Sequence, residues 1–448
     1  MAKNVILLMI SFSFSFAAVA QAAGQPPKEV ADLVAQLRRP TVTCAERVWN
    51  GFNWNDLQFV AVYPSKATSW AWDVAKNEIT EVQNSSLSAS VLGSGYEFFE
   101  RSGKNSASLN MEEETSERVE LITHEFFHDQ GQKNWKSGGS GSRGTEYPLD
   151  WKPRFYRRMI YDALKTYFIG GSQADLAAAS FWNKKWMQNY PMEVLATTDG
   201  YEGTAEYTEI MSSALASLGC NAKDSDLKLA AAKFLEKTLD MFMSGDQLSL
   251  DGEGYAIGSL AALILRFDSK RSLLEWNSQV AAGRTPLEIL LETIPAVQKT
   301  VPKELARKFY SSARATNVEY SKDLDQPIRA WTDKSFVRMG IPSEWLLSNL
   351  YPKFFSTSKV LGADLFPLRI DHSYKSPTVN GNFVLKAGTV MIIDQSNFCG
   401  RQRIALVPKN SIIQKDDFFE VNSSTAVGTV RAKLKKNQDG FEYLCVEE

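Results

Sequence analysis

His124-Glu125-Phe126-Phe127-His128 sets two histidines four residues apart, with a glutamate directly after the first. On a helix each residue turns the chain by about 100°, so the two imidazoles share one face, about 6 Å apart along the axis. They can then converge on one metal ion. Glu125 lies to the side, near enough to take a proton from a water in the metal's open position but badly placed to be a ligand. Two imidazoles, one carboxylate base and a polarised water are the parts of a hydrolytic zinc site, which makes Zn2+ the expected cofactor. The chain has only 3 histidines, the third being His372, so two of them in this pattern is a specific signal. The plainer reading is an amphipathic helix with two hydrogen-bonded histidines.

Zinc held by two histidines needs a third protein ligand if one position is to stay open. Gly200-Tyr201-Glu202-Gly203-Thr204-Ala205-Glu206-Tyr207 offers one. Glu202 and Glu206 are four apart and share a helical face. Gly203 and Ala205 are small enough to let this helix approach the histidine helix closely. Glycine inside a helix costs about 1 kcal/mol against alanine, which implies a packing reason for it. Glu202 is then expected to bind the metal, and Glu206 to hydrogen-bond the outer nitrogen of a histidine ligand and fix its tautomer. The plainer reading is a solvated face with two like charges. His372 is a further candidate, as third ligand or as a donor to a developing oxyanion.

His124-Glu125-x-x-His128 followed by Glu202-Gly203-x-Ala205 resembles the gluzincin metallopeptidases, the clan of thermolysin-like enzymes and zinc aminopeptidases. The resemblance covers residues 106–218. It implies Glu202 as the third ligand, an acidic residue at Glu206 supporting a histidine, and an oxyanion-stabilising tyrosine at Tyr207 or else Tyr201. A second pattern, His128-x-x-Gly131-x-x-Asn134, echoes the metzincins, with Asn134 where that family places a ligand. The function expected is an exported zinc peptidase with Glu125 as general base, acting on a peptide or protein. The alternatives are a binding or scaffold protein with structural zinc or none, and a zinc amidase acting on cell-wall peptides.

The elements that must position these residues suggest an α+β chain. Leu57–Tyr63, Ser69–Val74 and Ser106–Leu109 alternate as strands do, giving a small sheet over 56–110. Val119, Ile122 and Phe126 recur at helical spacing, Asn110 and Glu113 resemble a capping box, and Gly131 suits a stop, so the site helix is expected over 111–130. A sheet leading into such a helix is the order of a zincin-like fold. Residues 153–350 read as mostly helical, at 154–169, 173–189, 199–218, 226–243, 254–267, 286–297, 302–315 and 343–350. Together 23–354 form the expected catalytic domain. Strand-like runs and the turns Asn380-Gly381 and Asp439-Gly440 mark 355–448 as a small all-β domain. The Gly139-x-Gly141-x-x-Gly144 stretch follows no apolar strand and reads as a flexible loop, not a dinucleotide fingerprint.

With 50 basic and 52 acidic residues, the bulk charge gives no sign of a nucleic-acid partner. Residues 1–22 read as a signal peptide: Lys3, an apolar run, and small residues around Ala20 and Ala22. No later run is long and apolar enough for a membrane span, so the expected location is periplasmic or secreted. Four cysteines in an exported chain favour disulfides, and their split into early and late pairs suggests Cys44–Cys220 and Cys399–Cys445.

Overall fold

The computed structural model describes residues 25–447, apart from 52–53, 114–116, 137–146, 148–149, 196, 236–238, 240–242, 244–249, 342–352, 355–364, 370–373, 376–382, 387–389, 395–397 and 400–402. The leader expected at 1–22, the glycine-rich stretch, the helix expected at 343–350 and His372 all lie outside the described residues. The fold is α+β with two sheets.

The chain divides into two compact units: residues up to Ala35 with Asn55–Thr115, and Gln36–Trp54 with Ser116–Glu448. In the first, β1 (Leu57–Val62), β2 (Thr68–Asp73), β3 (Glu78–Gln83), β4 (Tyr96–Arg101) and β5 (Lys104–Asn110) form a sheet of order β3-β2-β1-β5-β4. β1 and β5 run parallel and the other pairs antiparallel. Central β1 is buried along its whole length, which is why its apolar run is nearly continuous. Val60, Val62, Ala71 and Val82 pack with Val91 of the short helix α3 (Ala89–Gly93). β3 and β4 escaped the sequence reading because their exposed faces dilute the alternation.

The second unit is helical first. α4 (Arg118–Phe126), α5 (Lys152–Phe168), α6 (Gln173–Asn189), α7 (Pro191–Leu195), α8 (Tyr201–Leu218), α9 (Asp224–Phe234), α10 (Leu250–Asp268), α11 (Leu273–Ala281), α12 (Pro286–Leu291) and α13 (Lys303–Thr332) follow in order, after α2 (Ala45–Val48) nearer the N-terminus, while α1 (Lys28–Arg38) lies mostly in the first unit. α8 is the hub: it is buried on nearly every side and packs against α4, α9 and α10. Its C-terminal end is held by the Cys44–Cys220 disulfide, one of the two expected pairings, both of which form.

The site helix starts later than expected. Asn110 stays in β5, paired with Val62, because the strand ladder satisfies more backbone groups than a local cap. Its side chain still reaches Glu113, at 3.0 Å. α4 begins only at Arg118.

In the C-terminal sheet β13 (Ile412–Lys415), β14 (Phe418–Asn422), β15 (Ala426–Lys436), β16 (Glu442–Val446), β6 (Phe336–Ile341), β12 (Arg403–Pro408), β11 (Val390–Asp394), β8 (Leu365–Arg369) and β7 (Lys353–Phe354) lie side by side in that order, and β10 (Val384–Leu385) pairs with β15 and with β9 (Tyr374–Lys375). The sheet recruits β6, from the region read as helical, between β16 and β12. One face buries Val337, Met339, Leu444 and Val446. The other is covered by Ala330 and Trp331 at the end of α13, beside Tyr443 and Cys445. Among the described residues no helix is long and apolar enough to cross a membrane.

Candidate metal centre

α4 is amphipathic, as its spacing requires. Val119, Ile122 and Phe126 are buried, and the Phe126 ring packs edge-on to Trp54 at 6.4 Å. Burying such a side chain contributes about 2–3 kcal/mol, enough to fix which face turns inward. After Phe126 the helix widens into one i→i+5 turn over Phe127–Gly131, closed by Gln132 N–H to Phe127 O at 3.0 Å. Wide turns of this kind recur at functional sites because they re-aim side chains within a helix. Phe127 lies on the inner side of this turn against Trp49, at 4.8 Å.

His124 and His128 project from this helix toward the first turn of α8. Their Nε2 atoms are 3.0 Å apart. Glu202 Oε2 lies 3.1 Å from His128 Nε2 and 3.6 Å from His124 Nε2. The three atoms close a small triangle.

The outer nitrogens fix the tautomers. His124 Nδ1 donates to Glu209 Oε2 at 3.1 Å, and His128 Nδ1 donates to Gln132 Oε1 at 2.7 Å. Gln132 Nε2 in turn donates to Tyr201 O at 2.6 Å and Thr204 Oγ1 at 2.9 Å, which sets the orientation of its amide. When each imidazole carries a single proton, on Nδ1, two Nε2 lone pairs and a carboxylate oxygen face one another, an arrangement that suits a shared cation. Zinc–ligand bonds of about 2.0–2.1 Å at tetrahedral angles put donor atoms about 3.3 Å apart, so the donor set fits that ion.

The charges agree. Burial lowers the pKa of His124, but the carboxylates of Glu202, Glu209 and Glu206 outweigh it and raise it to about 10, so the cluster favours positive charge at its centre. Burial raises Glu202, yet His124, His128 and the Tyr255 phenol hold its carboxyl well below the usual range. Glu125 stays outside the triangle. Burial raises its carboxyl, partly offset by the two histidines.

Three expectations change. Glu206 is not the nearest acceptor for a histidine: its Oε2 is 3.9 Å from His124 Nδ1, against 3.1 Å for Glu209. Burial, with the neighbouring Glu209 charge, drives its carboxyl well above the ordinary value. Tyr207 is fully buried in the core with Trp276 at 5.4 Å and Trp49 at 6.1 Å, too enclosed to meet a substrate. Asn134, which the metzincin-like pattern places as a ligand, is exposed.

The tyrosines that do border the cluster are Tyr201, stacked on His128 at 4.3 Å, and Tyr255, stacked on His124 at 5.5 Å. Gln132 had a visible signal, since it continues the four-residue spacing of His124 and His128. Glu209 and Tyr255 had none that local pattern could single out.

Gly203 of α8 serves a different neighbour from the one expected. A Cβ on Gly203 would lie 2.4 Å from Gly258 Cα of α10. Behind this seam Arg154 Nη1 donates to Glu253 Oε2 at 2.6 Å, and Arg157 Nη1 donates to Asp199 Oδ2 at 2.8 Å, all buried. These pairs tie α5 to the start of α10 and to the turn that enters α8. A buried pair of this kind is worth little net stability but is costly to break singly.

Searches against protein-family models, curated proteins and solved structures find no match to this chain.

Proposed function

We propose that this protein is an exported zinc-dependent peptidase of the gluzincin type, with a zincin-like catalytic part. The observation that carries the reading is the convergence of His124 Nε2, His128 Nε2 and Glu202 Oε2 within one small triangle, with Glu125 beside it and outside it. His124, His128 and Glu202 would hold the ion. Zinc bound there would supply a Lewis acid that makes water nucleophilic near neutral pH.

The rest falls to the chain's own groups. Glu125 accepts the proton of the attacking water on its carboxylate and returns it to the leaving amine. Its partial burial raises its basicity toward that task. Tyr201 takes the oxyanion role expected of Tyr207. Burial and the charges of Glu202, Glu125 and Asp129 keep its phenol protonated, and so able to donate. Glu209 and Gln132 keep both imidazoles in the Nδ1–H form. The two disulfides support an oxidising, extracytoplasmic location.

The test is metal content per chain after purification without chelator, followed by hydrolysis of a peptide library and of amide-linked wall fragments. About one zinc per chain with cleavage of peptides is expected. Glu125→Gln should keep the metal and lower turnover by about 10²–10⁴-fold. No zinc uptake would refute the reading, and full activity in Glu125→Gln would refute the assignment of the base.

A further inference from the structure

We infer that Tyr255, on α10, is a positioning residue for the metal cluster, holding Glu202 and His124 in the geometry in which they bind zinc. The inference rests on the zinc reading and adds a group that the sequence pattern does not include. Two contacts made by one side chain support it. The Tyr255 ring lies nearly parallel to His124, 5.5 Å between centroids and 11° between planes. Its phenol hydrogen-bonds the Glu202 carboxylate. A carboxylate that accepts a hydrogen bond from outside the cluster loses rotational freedom, which favours ligation through one oxygen. Glu202 Oε2 is the atom that meets both imidazoles.

The backbone around Tyr255 has little freedom to place that side chain anywhere else. Glu202 is followed by Gly203, and Tyr255 is preceded by Gly254, so the glycine seam runs directly beside the contact. A Cβ on Gly254 would lie 2.1 Å from Thr198 Oγ1, and one on Gly258 would lie 2.1 Å from Asp199 O. α10 therefore sits against the entry of α8 at backbone distance. Glu253, the next residue back, is clamped by Arg154 at 2.6 Å and faces Arg157 Nε at 3.6 Å. Arg157 also grips Asp199. The same two arginines thus register the start of α10 and the turn before Glu202. Tyr201 differs, because it stacks on His128 from α8, the helix that already carries Glu202, and so brings no third helix to the cluster.

The experiment is Tyr255→Phe, which keeps the ring and removes the hydroxyl. Zinc affinity by competition with a chromogenic chelator, the visible spectrum of the cobalt-substituted protein, and unfolding of the metal-free chain are compared with wild type. A fall in zinc affinity of about 10–100-fold is expected, with an altered cobalt spectrum and unchanged metal-free unfolding. Wild-type affinity and spectrum in the variant would overturn the inference while leaving the zinc reading intact. A metal-free variant that loses stability in step with its zinc affinity would also overturn it, because the phenol would then be supporting the fold. A wild-type chain that takes up neither zinc nor cobalt removes the zinc reading itself, and this inference with it.

Discussion

Gly203→Ala tests whether the α8–α10 seam sets the metal cluster. The added methyl would stand 2.4 Å from Gly258 Cα, 2.8 Å from Gly258 C and 2.9 Å from Gly254 O. All three are backbone atoms, so no side chain can swing aside. Ordinary contact begins at 3.4 Å, so the helices must part by about 1 Å. Overpacking of this kind costs about 1–3 kcal/mol, and alanine's better helix propensity returns about 1 kcal/mol. The net loss of about 0–2 kcal/mol corresponds to a fall in Tm of no more than about 3 °C for a unit of about 350 residues. The metal should be more sensitive than the fold. Glu202 adjoins the substituted position, and metal–ligand distances tolerate only about 0.2 Å, so zinc affinity should drop at least about tenfold. Thermal unfolding of metal-free protein and zinc titration read the two effects separately. Gly93→Ala, where nothing lies within 4 Å of the new methyl, is the control and should change neither. Unchanged Tm and unchanged zinc affinity in Gly203→Ala would refute the argument that this seam positions Glu202.

Glu209→Gln should weaken zinc binding by about 10–100-fold and Glu206→Gln by less, because Glu209 holds the His124 Nδ1 proton; the reverse order in a zinc titration would return that role to Glu206. Replacing Cys44 and Cys220 by serine opens a loop of sequence separation 176 and should cost about 3–5 kcal/mol by denaturant unfolding; a loss below about 1 kcal/mol would show that the packing around Trp49 suffices alone. Burial raises the Asp175 carboxyl, but Lys299 and the Ser172 N–H outweigh it and hold the pKa below its ordinary 3.8. Because the folded-state pKa is depressed, the stability Asp175 adds is present above 3.8 and is lost as pH falls through the folded value. The Tm gap between wild type and Asp175→Asn should therefore close in acid, and a gap independent of pH would count against this.

What could be read from the sequence was what is local. The histidine pair depends only on helical periodicity, and the buried stripe of Val119, Ile122 and Phe126 follows from the same period. Glu202 was legible through its glycine neighbour, yet the inference about that glycine named the wrong partner. Gly203 packs on Gly258, and no local rule reports which of several helices will meet a small residue. The choice between Glu206 and Glu209 turns on how α8 is rotated against α4, which is set by packing. Tyr255 was out of reach because nothing near it carries a metal pattern. Among the strands, β6 was lost because Phe336–Ile341 follows a long helix and finds its partners far away, in β12 and β16.

The sequence distances across the cluster also bear on when it can exist. His128 meets Glu202 across 74 positions, and His124 meets Glu209 across 85. Closing loops of that size is entropically costly and comes after local helix formation. A chain still being made therefore offers a metal only the adjacent histidine pair, a weak, incomplete site. On the proposed function, hydrolytic competence would arrive late, once α4, α8 and α10 have docked, and the nascent polypeptide would be inactive until then.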